Sequence, residues 1–152
     1  MAHTVLDGTQ AVLDATGTHL GYSDWLEVTQ ERVDQFAEAT GDHQWIHVDP
    51  VKAKDGPFGG TIAHGYLTLS LSNLFLPQIV EITGFSMGIN YGANKVRFPA
   101  PVPVGARIRG GAELVAVEEI AGGLQSTVLI TIEVEGGAKP ACVIESISRY
   151  LV

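Results

Sequence analysis

The feature that most constrains the fold is an apolar segment from Tyr66 to Leu76 that lacks a clean polar face. It predicts one long helix, from about Ala63 to Val80, that is buried on most sides. Several hydroxyl, amide and proline side chains interrupt the apolar stretch from Tyr66 to Val80, which is too short and too polar to span a membrane. The remaining elements must therefore supply the surroundings of this helix.

Four segments after Gly84 predict long antiparallel strands, separated by turns rich in glycine and proline. They cover residues 85–98, 107–118, 124–135 and 141–151. Helices followed by such a meander indicate an α+β domain. A curved sheet wrapped around one long buried helix would satisfy both patterns, and this arrangement is called a hot dog fold. Because the open edges of such a sheet commonly pair between copies, we expect a homodimer.

The segments before the predicted buried helix have weaker patterns. We expect residues 1–20 to form a loosely patterned N-terminal arm of a single domain that covers residues 1–152. Thr29 is a candidate N-cap for a helix from about Gln30 to Thr40, which Gly41 would end. Residues 42–60 predict a long, partly ordered connection with one short helix near residues 51–54. Connections of this length are usually functional or disordered, and apolar side chains here argue against disorder.

Charge and cysteine content exclude some classes of function. Nine Lys and Arg against seventeen Asp and Glu give a formal charge of −8, which argues against nucleic acid as a partner. A small anionic ligand remains possible, and the candidate cations for it are Lys95, Arg97, Arg107 and Arg109. The single cysteine, Cys142, permits a reducing compartment. No basic segment followed by an apolar run opens the chain, so we expect a cytoplasmic protein without a membrane anchor.

The candidate chemistry lies between residues 42 and 65. Asp42 and His47 do not share a face of a regular helix, but they can converge across a turn. A carboxylate and an imidazole can move protons to and from a water molecule. Gly65, at the predicted start of the buried helix, can offer a backbone N–H to a developing oxyanion, helped by the helix dipole. The simpler alternatives are an Asx-turn at Asp42 and a half-buried histidine bonded to a carbonyl at His47.

Other candidate groups have weaker support. His43 and His47 form an H-x-x-x-H pair, but a zincin helix needs Glu after the first histidine and this chain has Gln44. We therefore expect no metal. Cys142 lies in an apolar strand, where a thiol is usually inert. His64 is expected to be a structural hydrogen-bond partner.

Asn73 is eight residues after Gly65, about two helical turns further along. It could therefore face the same cavity as Gly65. A hydrogen bond from its side chain to the backbone or to a strand is the simpler alternative.

In combination these motifs resemble the MaoC-like (R)-specific enoyl-CoA hydratases, also called 3-hydroxyacyl-CoA dehydratases of the hydratase 2 type. The similarity covers roughly residues 20–150. It rests on Asp-(x)4-His at 42–47, Gly-Gly-Thr-Ile-Ala-His-Gly at 59–65, Val-Arg-Phe-Pro-Ala-Pro-Val at 96–102 and Gly-Ala-Arg-Ile at 105–108. The resemblance implies a hot dog dimer that adds water reversibly to a trans-2-enoyl thioester of coenzyme A. The product would be the (3R)-hydroxyacyl-CoA of fatty acid metabolism, and no cofactor would be needed.

The resemblance also implies roles for single residues. Asp42 and His47 match the pair that holds and activates the water, and Gly65 matches the glycine whose N–H binds the thioester oxygen. Asn73 falls where some members place a small polar residue beside the active carboxylate.

The chain departs from the family motif between these two residues. Many members read Asp-x-Asn-Pro-x-His, whereas residues 42–47 read Asp-His-Gln-Trp-Ile-His. Gln44 takes the place of the Asn, and Trp45 replaces the rigid Pro with a bulky group. We expect Trp45 to reshape the pocket wall and thereby the acyl-chain preference.

Two other functions remain open at this point. A hot dog acyl-CoA thioesterase would direct water onto the carbonyl with a carboxylate, and would not need the Asp42/His47 pair at this spacing. A non-catalytic acyl-CoA-binding or partner subunit would be expected to lack one of the two residues. Release of free thiol from an acyl-CoA distinguishes the thioesterase from a hydratase.

Overall fold

The computed structural model describes residues 3–152 as a sheet that packs one face against a set of helices. The elements in chain order are β1 (Thr4–Asp7), α1 (Gly8–Asp14), β2 (His19–Tyr22), β3 (Leu26–Glu27), α2 (Gln30–Thr40), α3 (Trp45–Val48), α4 (Pro50–Lys54), α5 (Gly65–Ser70), α6 (Ser72–Ile79), β4 (Val80–Thr83), β5 (Met87–Arg97), β6 (Arg107–Ile120), β7 (Gly123–Val134) and β8 (Cys142–Leu151). The large sheet has the order β2-β6-β7-β8-β5, with β3 also paired to β6. Its strands are all antiparallel.

The four predicted long strands are confirmed as β5 to β8. In β7 buried and half-buried residues alternate, with Val128, Ile130 and Ile132 on the buried face. Ile130 lies opposite Ala112 of β6 and Ile144 of β8, which are also buried. One face of the sheet therefore packs on the core, as a period-2 pattern requires. The predicted α+β hot dog architecture is confirmed.

The predicted buried helix forms as two consecutive helices, α5 and α6, interrupted at Leu71. Phe75 packs so closely on β6 that a Cβ atom on Gly110 would lie 2.9 Å from the Phe75 Cβ, so only glycine fits there. The expectation of burial on most sides is wrong for the single chain. Tyr66 is 69% exposed and Leu74 is 41% exposed, because the sheet covers only one side of these helices.

The prediction that residues 1–20 form a loose arm is also wrong for residues 3–20, which the structure describes. β1 pairs in parallel with β4, α1 buries Val12, and β2 pairs with β6. Leu6, Val12 and Leu20 belong to the hydrophobic core. The apolar residues are too few here to show a period, and their order comes from contacts with distant parts of the chain.

Helix α2 and its ends follow the prediction. The Thr29 side chain accepts a hydrogen bond from the backbone N–H of Arg32, and Gly41 ends the helix with φ 81°. The connection from 42 to 60 holds two short helices, of which α4 is the predicted one and α3 carries His47. In the described part of the chain no helix combines the length and the apolar character needed to cross a bilayer.

Candidate active site

A pocket of about 280 Å³ lies between the end of α2, the turn before α3 and the start of α5. It brings together the predicted Asp42, His47 and Gly65, which are separated in sequence by up to 23 residues. The complete lining consists of Phe36, Thr40, Asp42, His47, His64, Gly65, Tyr66 and Phe98. The pocket therefore combines the polar side chains of Thr40, Asp42, His47 and His64 and one helix start with aromatic walls.

His47 is buried on α3, and its hydrogen bonding defines its tautomer. Its Nδ1 lies 2.7 Å from the carbonyl oxygen of Ile62. Because a carbonyl can only accept, Nδ1 carries the proton and Nε2 of the neutral ring keeps a lone pair. The Ile62 N–H donates to the carbonyl of Ile46, which fastens the segment before α5 to α3. His47 is thus a histidine bonded to a carbonyl and also a group that can take a proton at Nε2.

Asp42 lies in the turn that follows α2, and its side chain is exposed. Its Oδ1 accepts from the backbone N–H of Gln44 at 3.3 Å, which is the expected Asx-turn. A carboxylate oxygen of Asp42 also lies within 4.8 Å of a ring nitrogen of His47. The two residues therefore converge across a turn, as the sequence predicted, and the Asx-turn holds the carboxylate in place.

His64, predicted as a structural hydrogen-bond partner, has that role and also joins the polar group of the pocket. Its Nε2 lies 3.0 Å from the carbonyl oxygen of Asp42, so Nε2 carries the proton. The ring stacks on His47, with centroids 3.9 Å apart and an angle of 26° between the planes. Phe36 contacts the same ring at 4.9 Å between centroids. Its adjacency to Gly65 was the only signal in the sequence that placed this histidine in the pocket.

Gly65 is the first residue of α5, and its backbone N–H has no acceptor within residues 3–152. The first N–H groups of a helix lack partners inside the helix, which makes them available to a ligand. A Cβ atom at this position would lie 3.4 Å from three ring atoms of Phe98. The aromatic ring therefore lies beside the start of the helix, at ordinary contact distance from a Cβ atom at this position.

Two residues expected near the site lie elsewhere. Asn73 is exposed on α6 and lines two other depressions beside β5 and β8. Eight residues of helix rotate a side chain about 80° away from its starting direction, which is enough to leave the cavity at Gly65. Trp45, expected to shape the pocket wall, does not line this pocket. Its ring packs on Gly56, and the Lys52 ammonium lies 4.7 Å from its centroid.

The candidate cations do not form one anion-binding group. Lys95 and Arg97 lie on β5, which β7 and β8 separate from Arg107 and Arg109 on β6. Both β6 arginines ion-pair with glutamates on β7 or just after it. The positive charges of these two arginines are therefore largely neutralised by glutamates of the same sheet region.

The other reactive side chains lie outside the pocket. Nε2 of the exposed His43 lies 3.4 Å from a carboxylate oxygen of Glu38, so the H-x-x-x-H pair is not assembled around the pocket. Cys142 is buried at the start of β8, and burial raises the pKa of its thiol to about 11. A thiol with this pKa is protonated at neutral pH, in agreement with an inert packing role.

Comparison with known proteins identifies the family. The family described as MaoC like domain matches residues 11–136. The chain is 59% identical over 138 residues to 3-hydroxyacyl-thioester dehydratase Z of Mycobacterium tuberculosis, covering 90% of this chain and 91% of that protein. It is 47% identical over 131 residues to Nodulation protein N of Rhizobium leguminosarum bv. viciae, covering 82% and 80%.

A solved structure agrees with the sequence relatives. The (R)-hydratase from A. caviae involved in PHA biosynthesis superposes with a TM-score of 0.67 at 26% identity, covering 88% of this chain and 98% of that one. Together with the extent of the sequence matches, this shows that the chain belongs to the MaoC-like dehydratase family of hydro-lyases.

Proposed function

We propose that this protein catalyses the reversible hydration of trans-2-enoyl-CoA to (3R)-hydroxyacyl-CoA, as a step of fatty acid metabolism. The observation that carries the proposal is the convergence in one pocket of the Asp42 carboxylate, the His47 ring with Nδ1 bonded to a carbonyl, and the Gly65 N–H, which has no acceptor in the described residues. The names of the relatives support it, since they include a 3-hydroxyacyl-thioester dehydratase and an (R)-hydratase.

The proposed mechanism uses His47 as the proton carrier. In hydration, the water oxygen forms a bond to C3 while Nε2 of His47 takes a water proton. The electron pair of the C2–C3 double bond moves toward the thioester, and negative charge develops on its oxygen. The resulting imidazolium returns a proton to C2, which restores the neutral ring. Dehydration follows the same steps in reverse.

Asp42 and Gly65 stabilise the charges that this reaction creates. The Asp42 carboxylate accepts a hydrogen bond from the water, which orients it, and lies close enough to stabilise the imidazolium. The Gly65 N–H donates to the thioester oxygen as that oxygen becomes an enolate. Because the added water supplies both hydrogens and the chain's own groups transfer the proton and stabilise the charges, we propose that the reaction needs no redox cofactor and no metal.

We also propose that the protein acts as a homodimer in the cytoplasm. β5 is an edge strand of the sheet, and its residues are exposed along almost the whole strand. Met87, Ile89 and Tyr91 on β5 are 54%, 41% and 59% exposed. A second copy paired along this edge would remove these apolar side chains from water.

The test is the loss of ultraviolet absorbance of the conjugated enoyl thioester when crotonyl-CoA is mixed with the protein. We expect absorbance loss without release of free thiol. Thiol release with an intact double bond would instead identify a thioesterase, and binding without either change would identify a non-catalytic subunit. Oxidation of the product by an (S)-specific 3-hydroxyacyl-CoA dehydrogenase, and not by an (R)-specific one, would overturn the stereochemical assignment.

A further inference from the structure

The side-chain amide of Gln30 joins the two segments that hold His47. Its Nε2 donates to the backbone carbonyl oxygen of His47 at 2.7 Å, and its Oε1 accepts from the hydroxyl of Thr61 at 2.6 Å. Nε2 also donates to Oδ1 of Asp34, one turn further along α2, at 2.9 Å. Because a carbonyl and an ionised carboxylate can only accept, the amide nitrogen faces them and Oε1 faces the hydroxyl. One orientation of the amide therefore satisfies all three contacts.

The backbone carbonyl of His47 needs a donor from outside α3. It lies in the last turn of this short helix, where carbonyls have no partner within the helix. Pro50, three residues further on, begins α4 and has no N–H to donate. The Gln30 amide supplies the donor, and its own position is fixed because Gln30 is the first residue of α2, next to the Thr29 cap.

The contact with Thr61 closes a cycle of hydrogen bonds around His47. Thr61 directly precedes Ile62, whose carbonyl accepts from Nδ1 of the His47 ring. The cycle therefore runs from the Gln30 amide to the His47 backbone, through the imidazole to Ile62, and back through Thr61. Thr61 is 7% exposed, and its carbonyl accepts from the backbone N–H of Val104. The cycle thus holds the backbone of His47 at a set distance from the group that orients its ring.

We propose that Gln30, through Thr61, is a positioning residue for His47. Gln30 does not line the pocket, so it acts on the reaction through His47 and not through the substrate. The inference rests on the proposed function, since the direction of Nε2 matters only if this nitrogen takes a proton from the water. A displacement of about 1 Å in a catalytic group can lower the rate by about 10²-fold, so a fixed α3 backbone has a direct kinetic value.

Two substitutions at Gln30 test the kinetic effect. Gln30→Met keeps the length of the side chain and removes both ends of the amide. Gln30→Glu keeps the shape and an acceptor for Thr61, but it places an oxygen against the His47 carbonyl. We expect each variant to lower kcat for crotonyl-CoA hydration by about 10- to 100-fold. KM should stay within about twofold, because the pocket wall that binds substrate is unchanged.

Gln35→Met is the matched control, because it makes the same substitution at an exposed position of the same helix. We expect it to keep the kcat of the unmodified chain. A Gln30 variant that folds normally by thermal unfolding and keeps this kcat would overturn the proposal, as would an equal loss in Gln35→Met.

Thr61→Val keeps the inference testable if both Gln30 variants fail to fold. It preserves the shape of the side chain and removes only the hydroxyl that bonds to Oε1. We expect a lower kcat than in the unmodified chain, with a smaller loss than in Gln30→Met because the bond to the His47 carbonyl remains. An unchanged kcat in folded Thr61→Val would contradict the closed cycle.

A measurement without substrate separates this inference from the proposed function. Exchange of the His47 Nδ1–H with water is followed by nuclear magnetic resonance, with His47→Asn to identify the signal. We expect exchange to be faster by about fivefold or more in Gln30→Met, which is the scale of one lost hydrogen bond.

The two possible failures give different results. Unchanged exchange in Gln30→Met would overturn the positioning role, whether or not the unmodified chain hydrates crotonyl-CoA. Faster exchange in this variant, together with no hydration of any enoyl thioester by the unmodified chain, would support the hold on His47 while the proposed function fails.

Discussion

Gly65→Pro isolates the contribution of a single backbone N–H to the reaction. Gly65 is the first helical residue of α5, a position where proline is favoured. The preceding His64 has φ −60° and ψ 140°, in the extended region that a residue before proline adopts. Since the Gly65 N–H has no acceptor within the described residues, its removal breaks no hydrogen bond of the fold. Proline therefore deletes the proposed oxyanion donor at little cost to folding.

The expected loss follows from the role of that N–H in the transition state. Removing one donor to a developing oxyanion typically lowers kcat by about 10²- to 10³-fold, or about 2.7–4 kcal/mol. Gly65→Ala is the matched control, because it adds a Cβ atom at ordinary contact distance from the Phe98 ring and keeps the N–H. We expect the alanine variant to retain kcat within about tenfold, well short of the loss that removal of an oxyanion donor causes.

The assay compares kcat and KM for crotonyl-CoA hydration in both variants, with thermal unfolding as the measure of folding. Steric exclusion of the substrate by the proline ring would raise KM, whereas loss of the oxyanion contact lowers kcat. A Gly65→Pro variant that folds normally and has the same kcat as Gly65→Ala would refute the proposed role of this N–H.

Three further predictions concern the catalytic pair, the assembly and the thiol. Asp42→Asn and His47→Asn should each lower kcat by about a hundredfold or more, while His43→Gln should match the unmodified chain; near-normal turnover in a folded variant would remove that residue from the mechanism. Light scattering at low micromolar concentration should give a mass near twice the 16.1 kDa of one chain, and the mass of a single chain would contradict the homodimer. Because burial raises the pKa of Cys142 to about 11, its thiol stays protonated at pH 8 and should react with a thiol reagent only after unfolding; rapid labelling of the native protein would contradict this.

The sequence predicted the elements whose patterns are local. The alternation in β7 and the capping residues Thr29 and Gly41 identified a strand and a helix from neighbouring residues alone. The N-terminal elements were missed because β1 and β2 are only four residues long and depend on pairing with β4 and β6. A period cannot be established over so few residues.

The site was predictable only where a local sequence pattern indicated it. The motif spacing indicated that Asp42, His47 and Gly65 belong together, and the pocket contains all three. The position of Asn73 was predictable only in part, because the rotation over eight helical residues follows from helix geometry whereas the interruption at Leu71 does not follow from a local pattern. The stacking of His64 on His47 joins segments that no local pattern connects.

The two histidines of the pocket each fasten the segment that carries the other. His47 holds the segment before α5 through the Ile62 carbonyl, and His64 holds the turn before α3 through the Asp42 carbonyl. In each histidine the nitrogen that donates this hydrogen bond carries a proton in both the neutral and the protonated ring. Protonation of the other ring nitrogen therefore leaves both hydrogen bonds intact. The pocket can therefore change charge during turnover without loosening. The same reciprocity couples the two segments in unfolding, so that their amide hydrogens should exchange with solvent as one cooperative unit.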